Sequence, residues 1–228
     1  DHAGAARAIK TNGRETMGVP TTAAIVIAVI AVVLAVPLSI PKHVFSEKVL
    51  ADIARKAIPK GKGNATLIVQ EVVASLRKEY GPWIIEQPEW MFNNAGGAMG
   101  TMLVLHASLS EYIIIFGSAI GTEGHTGRFL ADDWFHILYG EQWAYKHDTM
   151  KKEIYRPGDQ HHLKFGEAKG YRMPDECWAL EYARGNIVSM FPFGVFDGFF
   201  STIDFKTLYD TARVSGTSML VNLLKGKI

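Results

Sequence analysis

Cysteine is almost absent from this chain. Cys177 stands alone among 228 residues, so no intramolecular disulfide can form and paired-cysteine metal sites are excluded. Neither sign of charge is in excess: 24 Lys and Arg meet 23 Asp and Glu, for a formal charge of +1. A nucleic-acid partner would call for a basic surplus on one face, and none is expected here. A phosphate loop, a dinucleotide fingerprint and a serine-hydrolase elbow are also missing. With 48% hydrophobic and 21% charged residues, the chain is too apolar for disorder and rich enough for a sizeable core.

Charge is missing altogether from one stretch. Gly18 to Pro41 holds no ionisable residue, and Ala23 to Val36 is unbroken Ala, Ile, Val and Leu. About 20 apolar residues cross a bilayer, so this segment is expected to be a single transmembrane helix rather than a cleaved signal peptide. Pro37 and Pro41 stand where a small-residue cleavage pattern would follow. The expected organisation is a polar tail or non-native remnant over 1–17, the membrane helix over 18–41, and one ligand-binding domain over 42–228.

Within that domain two helices are predicted over 45–81. Ser46 and Asn64 are placed to cap them, and Pro59-Lys60-Gly61 and Gly81-Pro82 to stop them. From 90 to 186 short β-branched and aromatic runs alternate with turn signals, including Gly121-Thr122-Glu123-Gly124, which predicts a sandwich or barrel. Residues 187–226 read as helical again, with Asp204 to Leu224 as one amphipathic helix. The phenylalanines between Met190 and Phe200 are expected to cover the barrel mouth or to dip into a bilayer interface.

Two carboxylates stand out in the strand region. Period-two alternation places Cys177, Ala179, Glu181 and Ala183 on one face of a strand, opposite Trp178, Leu180 and Tyr182. In Ala131 to Tyr139 the same rule groups Ala131, Asp133, Phe135, Ile137 and Tyr139, the more apolar face, so Asp133 is expected to point inward. Any single acid is more often a solvated edge residue. Two facing one cavity can share a proton near neutral pH. Asp132 joins the catalytic set if the register is displaced by one residue. His161 and His162, adjacent in a strand, point to opposite faces and cannot easily chelate one ion with Glu167, so no metal is expected. His106 and Glu111 are read as partners for buried polar groups, and His125 as a turn or lining residue.

Four runs carry a resemblance. Asn93-Asn94-Ala95-Gly96-Gly97-Ala98-Met99-Gly100, Leu105-His106-Ala107-Ser108-Leu109-Ser110-Glu111-Tyr112, Gly121-Thr122-Glu123-Gly124-His125-Thr126-Gly127-Arg128 and Leu180-Glu181-Tyr182-Ala183-Arg184-Gly185 resemble the C-8 sterol isomerase and sigma-1 receptor family. The resemblance implies a mainly β fold: a membrane helix, a cupin-like barrel around the ligand, and two C-terminal helices against the membrane. It also implies the endoplasmic reticulum and a homotrimer with a subunit contact near Gly96 to Gly100. Glu181 matches the acid through which sigma receptors hold cationic amines. Their second acid falls at the position of Phe135, whereas Ala131-Asp132-Asp133 with His161-His162-Leu163-Lys164 resembles the fungal isomerases.

The resemblance further implies that Tyr112 orients Glu181 and that Val104, Ile114, Phe116, Phe129, His161 and Met173 line the pocket. The expected activity is a Δ8-to-Δ7 double-bond shift in a sterol: protonation at carbon 9, a cation at carbon 8, and proton loss from carbon 7. That chemistry needs a dry site with an acid, a base and negative charge, and no cofactor. The expected partners are a Δ8 sterol, cationic amphiphilic amines and membrane lipid. Two alternatives stay open: a sigma-type receptor that binds without turnover, and a metal-dependent cupin enzyme using His161, His162 and Glu167.

Overall fold

Ten antiparallel strands and four α-helices are described over residues 43–228 of the computed structural model. The expected tail and membrane helix lie outside the described residues. Among the described residues no helix is long and apolar enough to cross a membrane.

Helices α1 (Glu47–Lys60) and α2 (Ala65–Tyr80) form where the apolar spacing places them. Asn64 caps α2 by accepting from the Leu67 N–H at 3.1 Å, whereas Ser46 precedes α1 without a side-chain cap. Helix α1 ends where Pro59-Lys60-Gly61 is expected to stop it, with Pro59 in the last turn, Lys60 as the final residue and Gly61 as the C-cap.

The strands are β1 (Trp90–Ala95), β2 (Ala98–Ala107), β3 (Glu111–Ser118), β4 (Thr122–His125), β5 (Ala131–Tyr139), β6 (Gln142–Tyr145), β7 (Glu153–Tyr155), β8 (Gln160–Leu163), β9 (Gly170–Met173) and β10 (Cys177–Gly185). One sheet runs β1-β2-β3-β10-β5-β8 and the other β4-β9-β6-β7. Residues 122–125, expected in a turn, instead form β4, and only Gly121 keeps the positive φ that the turn requires. Ala95 pairs with Ala98 across a two-residue loop in which Gly96 and Gly97 both have positive φ, as a tight hairpin demands.

The larger sheet has two apolar faces. Its outer face packs Leu103, Leu105, Ile113, Ile115, Trp134, Leu138, Leu180 and Tyr182 against Leu50, Ala54, Ile68, Val72 and Leu76 of the two helices. Its inner face contributes Met102, Val104, Ile114, Phe116, Ile137 and Ala179 to a second cluster, joined by Met173 from the smaller sheet. Because both faces are buried, strands such as β3 read as continuous apolar runs rather than as a polar–apolar alternation. Two irregularities reset the faces. A register shift between Val104 and His106 brings Ala107 to the inward face beside Val104, where unbroken alternation would turn it outward, and another lies where Trp178 and Ala179 pair with Tyr139 and Ile137. The second shift overturns one expectation: Tyr139 packs with the helix-side core instead of sharing the inward face of Asp133.

Glu111 ties the domain together. Its buried carboxylate accepts from the backbone N–H groups of Val44 (2.8 Å) and Phe45 (3.3 Å) and from Tyr182 Oη (2.6 Å). It also pairs with Lys227 Nζ at 2.7 Å, where both side chains are buried. The start of the domain, two central strands and the C-terminal segment thus converge on one acid.

At the C-terminal end, α3 (Phe191–Phe196) leads through a π-helical turn, Asp197–Ser201, into α4 (Phe205–Leu224). Asp204 caps α4 by accepting from the Thr207 N–H at 3.0 Å. The orientation of α4 reverses the usual arrangement. Its buried residues are Ser218 and Asn222, whereas Phe205, Tyr209, Leu220, Leu223 and Leu224 are exposed. Asn222 Nδ2 donates to the Ala107 carbonyl (2.9 Å), and Ser218 Oγ lies 3.1 Å from both the N and the O of Ala107. Polar bonds to a strand edge therefore hold the C-terminal half of the helix, while Val214 and Met219 pack on the inner cluster and the larger apolar side chains face out.

Candidate functional site

β10 runs through the middle of the larger sheet, with β3 on one side and β5 on the other. Side chains of one strand face lie in rows across the sheet. One row reads Ile114, Glu181, Phe135, His161; the next reads Tyr112, Ala183, Asp133. Glu181 is therefore the diagonal neighbour of both Tyr112 and Asp133. Ala183, between those two, carries only a methyl group and leaves the space above it free.

These rows form the floor of a chamber with about 1120 Å³ free of protein atoms, its open mouth included. The smaller sheet adds Gln142 and Tyr171 to the lining, and the C-terminal segment adds Phe193, Val195, Ser215 and Met219. The lining residues include no Lys and no Arg. Among the described residues its carboxylates have no counter-cation within the chamber.

Burial dominates the electrostatics. Asp133 is 2% exposed and Glu181 7%. Tyr112 Oη donates to Glu181 Oε1, a bond that favours the ionised form. Burial nonetheless lifts Glu181 to about 7, against that opposing bond. Burial, then the charge of Glu181, pushes Asp133 well above the carboxylate range, and the Trp134 N–H only partly offsets this. Asp133 Oδ1 has no hydrogen-bond partner among the described residues. Near neutral pH the pair therefore holds a proton, with one carboxyl able to donate and its neighbour to accept. Across the chamber, burial and the same two acids keep Tyr171 protonated.

The sequence-predicted residues divide as follows. Glu181, Asp133, Tyr112, Val104, Ile114, Phe116, Phe129 and His161 all line the chamber. Asp132 does not. It lies on the opposite face of β5, where Oδ1 sits 2.9 Å from His162 Nε2 and accepts from the Phe165 N–H at 3.3 Å. The period-two rule separates it from Asp133. Met173 does not reach the chamber either; it is 1% exposed and packed within the inner cluster with Cys177 and Ala179. His125 ends β4 and lines the chamber, its Nδ1 accepting from the Gly127 N–H at 2.9 Å.

The residues proposed for a metal are spread apart. His161 Nδ1 meets Gln142 Oε1 at 2.7 Å, His162 meets Asp132, and Glu167 pairs with Lys146. Among the described residues no three His, Cys, Asp or Glu side chains form a group able to hold a metal ion.

The expectation that phenylalanines between Met190 and Phe200 cover the barrel mouth is met by Phe191 and Phe193, whereas sequence reasoning missed Tyr171, Gln142 and the lining residues Thr211, Ser215 and Met219 of α4. Tyr171 was within reach, because it shares a strand face with Met173 two residues on. Gln142 opens a four-residue strand, too short for alternation to declare a face.

Residues 21–227 match the family described as ERG2 and Sigma1 receptor like protein. The C-8 sterol isomerase ERG2 of Gibberella zeae is 50% identical over 186 residues, covering 82% of this chain and 79% of that protein. The C-8 sterol isomerase of Pyricularia oryzae is 52% identical over 187 residues, 81% of this chain and 85% of that one. Sigma non-opioid intracellular receptor 1 of Danio rerio is 39% identical over 182 residues, covering 79% and 81%. Among solved structures, a cupin superfamily protein from Desulfitobacterium hafniense aligns with 36% of this chain and 74% of its own, at a TM-score of 0.33 and 19% identity.

Proposed function

The chain belongs to the family of ERG2 and Sigma1 receptor like proteins, and from that premise we propose that it is a Δ8-to-Δ7 sterol isomerase whose acid and base are Asp133 and Glu181. The observation that carries this reading is a buried carboxyl pair facing an apolar chamber with no Lys or Arg among its lining residues. The protonated member delivers its proton to carbon 9 of the sterol, which leaves a cation at carbon 8. The ionised member offsets that charge and removes the proton from carbon 7, so the pair ends with one proton, as it began. Phe135, beside Glu181, and Phe116 line the chamber and supply aromatic rings whose faces can attract the cation. Apolar walls keep water from capturing it. Tyr112 positions Glu181 by its hydrogen bond.

Identity above 50% to a C-8 sterol isomerase, against 39% to a sigma receptor, favours turnover over binding alone. So does Phe135, which occupies the position of the sigma-type second acid. The exposed phenylalanines 196, 199, 200 and 205, with Tyr209, support a membrane-facing C-terminal surface. Together with the uncharged run 18–41 they favour a single-pass membrane protein, and the family resemblance adds the endoplasmic reticulum and a homotrimer to this reading. The deciding experiment is complementation: expression in cells lacking their own Δ8-Δ7 isomerase should restore Δ7 sterols. Expression at normal level without Δ7 sterols would assign the chain to the binding class instead.

A further inference from the structure

Three histidines have a buried Nε2 without a hydrogen-bond partner among the described residues: His106, His136 and His161. Of these, His161 alone lines the chamber. It is 1% exposed, and its ring is held from two sides. Tyr155 stacks on it, with centroids 4.5 Å apart and planes 19° from parallel, and Nδ1 meets Gln142 Oε1 at 2.7 Å. An amide oxygen can only accept, so Nδ1 carries the ring proton and Nε2 is left with a bare lone pair. Tyr155 is itself fixed, donating to Glu153 Oε2 at 2.6 Å, and the same oxygen is 2.7 Å from the buried Lys169 Nζ. Burial lowers the His161 pKa to about 3, so the ring stays neutral and keeps that lone pair at any working pH.

A buried acceptor without a donor is costly, because the group has given up its bond to water and gained none in return. The ring that bears this cost lines a chamber that is otherwise apolar apart from the acid pair and a few hydroxyl and amide groups. A sterol brings the complementary difficulty. Its one hydroxyl, on ring A, loses water when the molecule enters such a chamber. Position favours the match as well. His161 and Glu181 lie in one row, two strands apart, or about 10 Å. The hydroxyl and the 8,9 double bond are separated by the width of rings A and B. With a hydrogen-bond reach of about 3 Å at each end, that span is of the required order.

Resting on the isomerase reading above, the geometry points to His161 as the residue that fixes the sterol by accepting the proton of its ring-A hydroxyl, with Gln142 as the group that holds it in the accepting tautomer. Both are positioning residues. They set which carbons meet the acid pair, and they make the site selective for a free 3-hydroxyl over a 3-deoxy or 3-ether sterol.

The test compares a 3-hydroxy Δ8 sterol with its 3-deoxy counterpart, by kcat/KM and by equilibrium binding, in the full chain in detergent. Wild-type protein should prefer the hydroxy sterol by roughly 10- to 100-fold, the range that one buried hydrogen bond supplies. His161→Phe should bring both ratios close to one, with the larger loss falling on the hydroxy sterol. His161→Gln, which retains an acceptor, should restore part of the preference, and Gln142→Leu should reduce it. Binding of a lipophilic tertiary amine, which needs the acid pair, reports that each variant is folded. Retention of the full preference in His161→Phe overturns the proposal; should that variant fail to bind amine, retention in Gln142→Leu overturns it equally. An equal loss of turnover on both sterols in His161→Phe, with the preference intact, would also overturn it and make the imidazole part of the proton chemistry. Absence of turnover in wild type, with a hydroxyl preference in binding that His161→Phe abolishes, would refute the isomerase reading and leave this one standing.

Discussion

Glu181→Gln should abolish turnover and at the same time make the protein more stable. The substitution keeps shape and an acceptor for the Tyr112 hydroxyl, but it removes the ionisable proton. General acid–base catalysis contributes about 10²–10⁴-fold, so kcat should fall by at least that range. Stability follows from the folded-state pKa, which burial raises from 4.5 to about 7. The folded protein then holds a proton that the unfolded chain has released, so stability falls as pH rises from about 4.5 towards 7. Raising a pKa by that interval corresponds to roughly 3 kcal/mol against the ionised form at alkaline pH. Glutamine removes this penalty. The melting temperature of Glu181→Gln should therefore exceed that of wild type at pH 8, and the difference should shrink towards pH 4.5. Melting curves across pH in detergent, alongside sterol analysis, give both quantities. A Gln variant that keeps wild-type turnover, or one that is less stable than wild type at pH 8, refutes the reasoning.

Asp133→Asn should cost turnover on the same scale, with the double variant little worse, because residues acting as a unit are non-additive; Asp132→Asn should be mild, and turnover assays of the set would show additive losses if the two acids worked independently. The pH profile of kcat/KM should rise through about 7, where Glu181 begins to ionise, and fall again at alkaline pH as Asp133 loses its proton; a profile flat from pH 5 to 9 would contradict a shared proton. Lipophilic tertiary amines should compete with sterol as mimics of the cationic intermediate, and neutral isosteres should bind far more weakly, with equal affinities counting against a charge-based site. Lys227→Met leaves the Glu111 carboxylate buried without its cation and should destabilise the domain by about 3 kcal/mol in denaturant titrations, whereas Lys225→Met, at an exposed contact with the Pro82 carbonyl, should cost under about 1 kcal/mol. Deletion of residues 1–41 should not yield a detergent-free monodisperse domain, because the aromatic C-terminal face remains; light scattering of the truncation decides it.

The site was legible where strand alternation is regular. In β10, Glu181 sits among Ala179 and Ala183 on one face, and in β5 Asp133 is separated from Asp132 by the pleat alone. Alternation failed where the ladder is irregular, as at the shift that turned Tyr139 outward. It was silent where strands are very short, as in β4 and β6. The C-terminal helix was legible in its limits but not in its facing. An apolar stripe predicts burial, yet Ser218 and Asn222 dock on the Ala107 backbone, because bonds to a strand edge need polar partners. Likewise Glu111 could be read as a buried acid, but its partners come from residues 44, 45, 182 and 227, separations that no local pattern encodes.

The unequal fastening of the last helix has a kinetic consequence. Its C-terminal half is bolted by Ser218 and Asn222 to Ala107 and, beyond the helix, by Lys225 to Pro82 and Lys227 to Glu111. Its first turns meet the rest of the protein largely through apolar side chains, with Arg213 to Glu89 at a partly exposed contact. Swinging the far end out would strip a buried charge of its partner, whereas lifting the near end only trades one greasy contact for another. A ligand on its way in should therefore find the helix behaving as a door hinged at its tail. The leaf of that door carries the exposed Phe205 and Tyr209, so an acyl-chain environment would lower the cost of opening, and water would keep it shut.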